Sequence, residues 1–292
     1  MYKRQAWLYP DTISAQELAA IGVKAVHHWG YNVSFALSAI NAGLVYYPMQ
    51  WGCSKGANSV NESAIRAFVN ASNKLKGLTW LAFNEPELAH QAGCTPLQAA
   101  RAFHKLDQIL RSGSNPADPT AKLYCCGTVH SSISVNWLPD FRDAYYNEYG
   151  EEPPIDGVHI HLYWGERNRL DWCRMRNHLD NFRSWQSNQP WMAGKPVIVS
   201  EWGVLSNSSQ YPNDPQYLVG NCTPGCTCDY MAQMWNVFEQ RGYVRHYLWW
   251  TTYANPNKAS EYWDNGNVFT NRYGSQLTNP VGLKYRALST GN

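Results

Sequence analysis

Two glutamates stand out by what precedes them. Glu85 follows the apolar run Leu78 to Phe83 by way of Asn84, and Glu201 closes the run Pro196 to Ser200; both runs read as buried strands. Cutting a glycosidic bond needs one carboxylic acid to protonate the leaving oxygen and one carboxylate to attack or to activate water, with the sugar between them. Either glutamate alone reads better as a solvated loop or helix-capping charge. Two at matching strand ends of one fold reverse that preference, so the elements that position them decide the matter.

Other residues near strand ends carry chemistry of their own. His159 and His161 alternate on one strand candidate, and His27 and His28 are adjacent on another. An H-x-H pair suits a metal, but the further acidic and lysine ligands of a barrel metallohydrolase are absent from the other strand ends. No metal is expected. His161 is read as a sugar-hydroxyl partner and His159, one pleat deeper, as a satisfied core histidine. Trp29, Trp51, Trp164, Trp202 and one of Trp249 and Trp250 fall where they could stack on sugar rings. Side chains alternate along a strand, so only one of the last two faces the site, and Trp250 is taken. Trp80 and Trp235 read as core. Glu87, just past Pro86, either tunes Glu85 or is a helix-entry charge.

The elements alternate. Strands are expected over Arg4 to Tyr9, Val23 to Trp29, Leu44 to Met49, Leu78 to Phe83, Lys122 to Gly127, Ile155 to Trp164, Pro196 to Ser200 and Tyr243 to Thr251. Helices fill the gaps. Ser14 to Glu17 is a capping box, Gly43 terminates a helix from about Ser34 to Ala42, and one face carries Ile65, Phe68, Val69, Ser72 and Leu75 before Gly77. Thr95-Pro96 opens the fourth helix with its stripe Ala99, Phe103, Leu106, Ile109 and Leu110. Later helices run through Trp137, Phe141 and Tyr145, from about Asp171 to Gln186, through Met231 to Phe238, and from about Pro280 to Leu288. Eight strands alternating with eight helices, with no linker-like belt, predict a single-domain (β/α)8 TIM barrel over 1–292. The active site of such a barrel lies at the carboxyl ends of its strands, where Glu85 and Glu201 would meet. No Gly-rich fingerprint supports a nucleotide-binding open sheet instead. A Cys-rich excursion from Ser206 to Asp229 is long enough to be a functional loop.

Composition narrows the function class. The 292 residues carry a formal charge of +2 and only 16% charged residues, without a basic stripe or acidic tail, so nucleic acid and anionic membrane are poor partners. No apolar run is long enough to span a bilayer. With 14 Trp and 19 Tyr against 8 Phe, the chain favours rings with a polar handle, which suit the apolar faces and hydroxyl edges of sugars. Eight cysteines without metal-finger spacing point to disulfides and an oxidising compartment. Cys222 to Cys228 looks like a stapled loop, and adjacent Cys125 and Cys126 should face opposite ways, leaving at least one as a buried thiol. Sequons at Asn32, Asn61, Asn70, Asn207 and Asn221 agree with secretion. Strand-like sequence begins almost at Met1, so a mature secreted chain without a visible leader is expected, and a monomer.

The Asn84-Glu85-Pro86 end of strand four with the Glu201-Trp202-Gly203 end of strand seven resembles clan A of the glycoside hydrolases. More narrowly, Phe83 to Glu87, Pro48 to Gly52, His161 to Gly165 and Ser200 to Gly203 resemble glycoside hydrolase family 128, whose members are retaining β-1,3-glucanases. Departures are Glu87, where an aspartate is more usual, the Ser206 to Asp229 loop, and the tail after Thr251. The resemblance implies Glu85 as acid/base, Glu201 as nucleophile, Asn84 on the sugar 2-hydroxyl, and Tyr163 holding Glu201. It implies endo-β-1,3-glucanase activity on β-glucan with no cofactor. The alternatives are another β-linked polysaccharide such as mannan or β-1,4-glucan, or a carbohydrate-binding barrel without turnover. Carboxyl groups about 5–5.5 Å apart would indicate retention, and about 6.5–9.5 Å inversion.

Overall fold

The computed structural model describes residues 4–6, 13–129, 131–164, 172–204, 227–250 and 280–291. Its strands are β1 (Arg4–Ala6), β2 (Ala25–His27), β3 (Val45–Tyr47), β4 (Met49–Gln50), β5 (Thr79–Ala82), β6 (Lys122–Val129), β7 (Gly157–Trp164), β8 (Val197–Val204) and β9 (Val244–Trp250). All pair in parallel, in the order β3-β2-β1-β9-β8-β7-β6-β5-β4. The two ends of that order are halves of one strand. Only Pro48 separates β3 from β4, and proline has no N–H to give a ladder. Hydrogen bonds on both flanks carry the ring across this break. Met49 N–H donates to Gly30 O at 2.9 Å, and Leu81 N–H donates to Pro48 O at 2.8 Å. The nine segments are therefore the eight strands of a (β/α)8 barrel.

Helices α1 (Ala15–Ala20), α2 (Val33–Asn41), α3 (Glu62–Asn70), α4 (Pro96–Asp107), α5 (Ser131–Tyr149), α6 (Trp172–Ser187), α7 (Thr227–Glu239) and α8 (Pro280–Thr290) follow the strands in turn. Their starts are written locally: Ser14 and Thr95 each form a capping box, and Asn32 and Asn61 cap α2 and α3 through their side chains. The third helix stops at Asn70, short of the expected Gly77, because Ser72 caps a separate 3₁₀ turn that buries Leu75.

The core has two layers, as strand alternation requires. Ala25, Tyr47, Met49, Leu81, Tyr124, Ile198 and Leu248 fill the barrel interior. The outward residues of the strands pack against helix residues such as Leu18, Phe68, Phe103, Phe141, Phe182, Phe238 and Tyr285. Cys53 is disulfide-bonded to Cys94 with Cα atoms 5.6 Å apart. Cys125 and Cys126 are bonded to each other, which corrects the expectation of a buried thiol there. Cys173 is free, while Cys222, Cys226 and most of the Ser206 to Asp229 excursion lie outside the described residues.

Candidate active site

Asn84 and Glu85 leave β5 directly into a tight turn. Glu85 has φ +45°, a left-handed backbone rare for a residue with a side chain. Its neighbours fix it there: Glu85 N–H donates to Gly127 O at 2.9 Å, Leu88 N–H to Glu85 O at 3.0 Å, and Cys94 N–H to Pro86 O at 2.8 Å. The Cys53–Cys94 disulfide ties this turn to the loop that follows β4. Gly127 itself sits at φ +65° in a bulge of β6, and a Cβ there would lie 2.2 Å from Phe83 O and 2.7 Å from the His159 ring. Only glycine lets β6 and the Phe83 carbonyl approach this closely.

Glu201 lies inside β8, which runs to Val204 rather than stopping at Ser200. Here β8 carries an extra residue. Val199 pairs with Tyr247 and Trp202 with Trp249, so three steps on β8 match two on β9; on the other flank Ile160 pairs with Val199 and His161 with Glu201. A bulge of this kind re-aims side chains beside active sites. Ile198 belongs to the barrel interior and Val199 to the outer layer. Strict alternation would then send Glu201 outward, and the extra residue turns it inward.

The carboxylates meet around His161. Its Nδ1 is 2.8 Å from Glu85 Oε1 and 3.5 Å from Glu201 Oε2. One carboxylate oxygen of Glu85, one of Glu201 and a His161 ring nitrogen all lie within 4.8 Å of one another. Tyr163 donates its O–H to Glu201 Oε2 at 2.7 Å, and Trp29 donates its indole N–H to Glu201 Oε1 at 3.1 Å. Glu85, His161 and Glu201 form the one cluster of metal-ligand types among the described residues. Donors aimed at both oxygens of Glu201 suit an anion that must stay available, and are the wrong polarity for a cation cradle.

Burial pushes the Glu201 carboxyl above its ordinary range, with the Glu85 charge adding to it, while His161, Tyr163 and Trp29 pull it back. For His161, burial opposes the charged ring, yet the carboxylates of Glu201 and Glu85 outweigh it and the pKa is raised. Burial and the Glu201 charge hold Tyr163 far above the usual phenol range, so it remains a donor. Below this level His159 bridges Ser200 Oγ and Ala82 O at 2.9 and 3.0 Å, and His27 bonds Ser200 O at 2.9 Å. Burial lowers His27 to about 3 and His159 well below its ordinary value, so both stay neutral. A carbonyl only accepts, so His159 Nε2 carries the proton and its Nδ1 accepts a hydrogen bond from the Ser200 hydroxyl. The layer buttresses the backbones that carry both glutamates.

The remaining residues named from the sequence divide. Asn84 is buried; its amide donates to Gln91 at 3.2 Å and its Oδ1 has no partner. Trp250 packs 5.2 Å from Trp29 and 6.4 Å from Tyr163, beside Glu201. Trp249 faces the helices. Trp51 is half-buried and accepts the Asn84 N–H with its carbonyl at 3.0 Å. Trp164 ends β7, its side chain outside the described ones. Trp202 is a correction: fully buried between Phe238, Tyr247 and Trp249, it belongs to the outer core, because the bulge that turns Glu201 inward turns Trp202 outward. His161 is wholly buried and spends Nδ1 on the carboxylates, while its Nε2 has no partner. The Trp29 N–H contact and the close approach at Gly127 have no signal in the sequence beyond the place of both residues at strand ends, whereas His159 is the satisfied core histidine expected.

A family model described as "Glycosyl hydrolase catalytic core" matches residues 6–281. No curated protein matches the chain. Among solved structures, the chain is similar to a GH128 subgroup I endo-β-1,3-glucanase from Amycolatopsis mediterranei in complex with laminaritriose, with TM-score 0.67, 18% identity, and 99% and 100% of the two chains covered. A GH128 subgroup II endo-β-1,3-glucanase from Pseudomonas viridiflava gives TM-score 0.66 at 22% identity, covering 98% and 97%. A GH128 subgroup VI exo-β-1,3-glucanase from Aureobasidium namibiae gives 0.64 at 18%, covering 98% and 96%. At these identities the likeness is one of fold.

Proposed function

The chain belongs to the glycosyl hydrolase catalytic core family, and from that premise we propose that it is a secreted, monomeric, single-domain endo-β-1,3-glucanase that works by double displacement. The observation that carries the reading is the close approach of Glu85, just past the fourth barrel strand, and Glu201, at the bulge of the seventh, with oxygens within 4.8 Å. An oxygen pair this close supports the short spacing of retaining enzymes, about 5–5.5 Å, over the wider spacing of inverting ones.

In the first step Glu85 gives its proton to the glycosidic oxygen as that oxygen leaves with the bonding pair, and Glu201 forms the new bond to the anomeric carbon. In the second, Glu85 takes a proton from water, which displaces Glu201. Tyr163 and Trp29 favour the anionic form of Glu201 that the first step needs. His161, shared between the carboxylates, lowers the cost of two negative charges held this close. The unpartnered Asn84 Oδ1 suits a sugar hydroxyl donor. The β-1,3 linkage rests on the solved relatives, which are β-1,3-glucanases of both endo and exo action. Secretion rests on the Cys53–Cys94 disulfide.

The test is release of reducing sugar from β-1,3-glucan, mixed-linkage glucan, cellulose and mannan by wild type and Glu201→Gln. Turnover of β-1,3-glucan that vanishes in the variant, with the β-anomer formed first by NMR, is the expected result. Turnover of another polysaccharide alone would replace the linkage. Binding without turnover would make the barrel a carbohydrate-binding protein.

A further inference from the structure

The two oxygens of Glu201 are each held by a donor, and the two donors differ in character. Oε2 takes the Tyr163 hydroxyl from inside the barrel wall, and Tyr163 is buried. Oε1 takes the indole N–H of Trp29, two residues past the end of β2, and Trp29 is 41% exposed. Large aromatic rings this exposed are few in the described chain. The Trp29 ring is braced by Trp250 at 5.2 Å and 31°, and Trp250 in turn meets Tyr163 edge-on at 6.4 Å, so one aromatic wall wraps the carboxylate.

We propose that Trp29 is a positioning residue for the nucleophile as well as a sugar platform: its N–H fixes the rotation of the Glu201 carboxylate while its open ring supports the sugar beside the bond being cut. This rests on the glycosidase reading of the site. The two functions sit on one rigid indole, so a sugar that settles on the ring sets the attacking oxygen at the same time. When Glu201 bonds to the anomeric carbon, the leaving oxygen departs with the electron pair and the Glu85 proton. The carboxylate charge is then discharged. An N–H bond to Oε1 is strongest before this step, where it favours the ionised, oriented nucleophile over a protonated or rotated one.

A ring platform alone predicts an effect on substrate affinity. An N–H clamp predicts an effect on turnover and on the acidic side of the pH profile. Trp29→Phe keeps a ring and deletes the donor, and replacement of Trp29 by 3-benzothienylalanine keeps the bicyclic shape while exchanging N–H for sulfur. Expected for both is a fall in kcat on laminarioligosaccharide of about 10- to 100-fold, the range of a hydrogen bond to a charged group, with KM changed by less than about threefold. The acidic limb of kcat/KM should move to higher pH, because the Trp29 donor is among the groups that lower Glu201. Trp29→Ala should raise KM in addition. Independently of turnover, the ¹⁵N-indole resonance that disappears in Trp29→Phe should shift in Glu201→Gln and titrate with the carboxylate in wild type. An indole resonance indifferent to Glu201→Gln and to pH overturns the proposal even if the enzyme is inert on every glucan. Unchanged kcat in an active enzyme carrying 3-benzothienylalanine overturns it while leaving the glycosidase reading intact.

Discussion

Replacing Gly127 with alanine should damage both stability and turnover, in a way that separates backbone strain from a clash. At sites with ordinary backbone a Gly→Ala change stabilises by about 0.4–1 kcal/mol, by restricting the unfolded chain. At Gly127 the sign reverses. The left-handed φ of +65° costs an alanine roughly 1–2 kcal/mol. Its Cβ would also stand 2.2 Å from the Phe83 carbonyl oxygen, which is backbone and cannot rotate away. Overpacking of that kind costs about 1–3 kcal/mol, for a total of roughly 2–5 kcal/mol. Gly150→Ala is the internal control, since Gly150 has φ +74° with nothing within 4 Å of an added Cβ; it should lose only the left-handed share. The displaced Phe83 carbonyl leads directly to Asn84 and Glu85, and Gly127 O holds the Glu85 N–H. A misplacement of about 1 Å at the reacting group costs on the order of 100-fold in rate. Urea unfolding of both variants, with kcat measured on the folded fraction, tests each part. A Gly127→Ala protein as stable as Gly150→Ala and fully active would refute the claim that this glycine sets the geometry of Glu85.

Three further outcomes follow from the same contacts. Tyr163→Phe deletes a buried donor to Glu201; kcat/KM should fall about 10- to 100-fold, and because that donor lowers the Glu201 pKa, activity should be lost at higher pH on acidification, as a pH–rate profile will record. Burial raises Glu87 to about 7 from 4.5, so between those values the folded state holds a proton the unfolded state releases, and stability falls as pH rises through the window by about 3 kcal/mol. Glu87→Gln, which can still accept the Val129 N–H, should remove that share of the slope in urea midpoints read at pH 4.5, 6 and 8. Cys94→Ser opens a loop of sequence separation 41 and should cost about 4 kcal/mol by the loop-entropy relation, together with activity, because the disulfide anchors the turn that carries Glu85; a thermal melt with and without reductant checks it.

The barrel was legible because its signals are local and repeat. Capping boxes at Ser14 and Thr95, a glycine ending the second helix, and apolar runs of strand length between them are read off neighbouring residues. The break at Pro48 was legible in principle, since proline cannot continue a ladder, but closure of the ring across it depends on both flanking strands. The Cys53–Cys94 pairing was beyond reach, because eight cysteines carry no connectivity in their order.

Within the site the two glutamates were found for a topological reason, that residues ending barrel strands converge whatever their separation in the chain. Side-chain direction at those strand ends was another matter. A period-two reading holds only while the ladder is regular, and the placement of both glutamates depends on a ladder that is not. The bulge at Gly127 lets β6 reach the turn that carries Glu85, and the bulge before Trp202 exchanges the faces of Glu201 and Trp202. Strict alternation therefore sends Trp202 to the sugar while it lies in the core, and Trp29, in a loop that alternation does not govern, holds a carboxylate oxygen. Bulges cost ladder hydrogen bonds, so they persist where something requires a side chain to leave the pleat. Here that requirement is a carboxylate that must face inward at a position where a regular strand would present it to the helices.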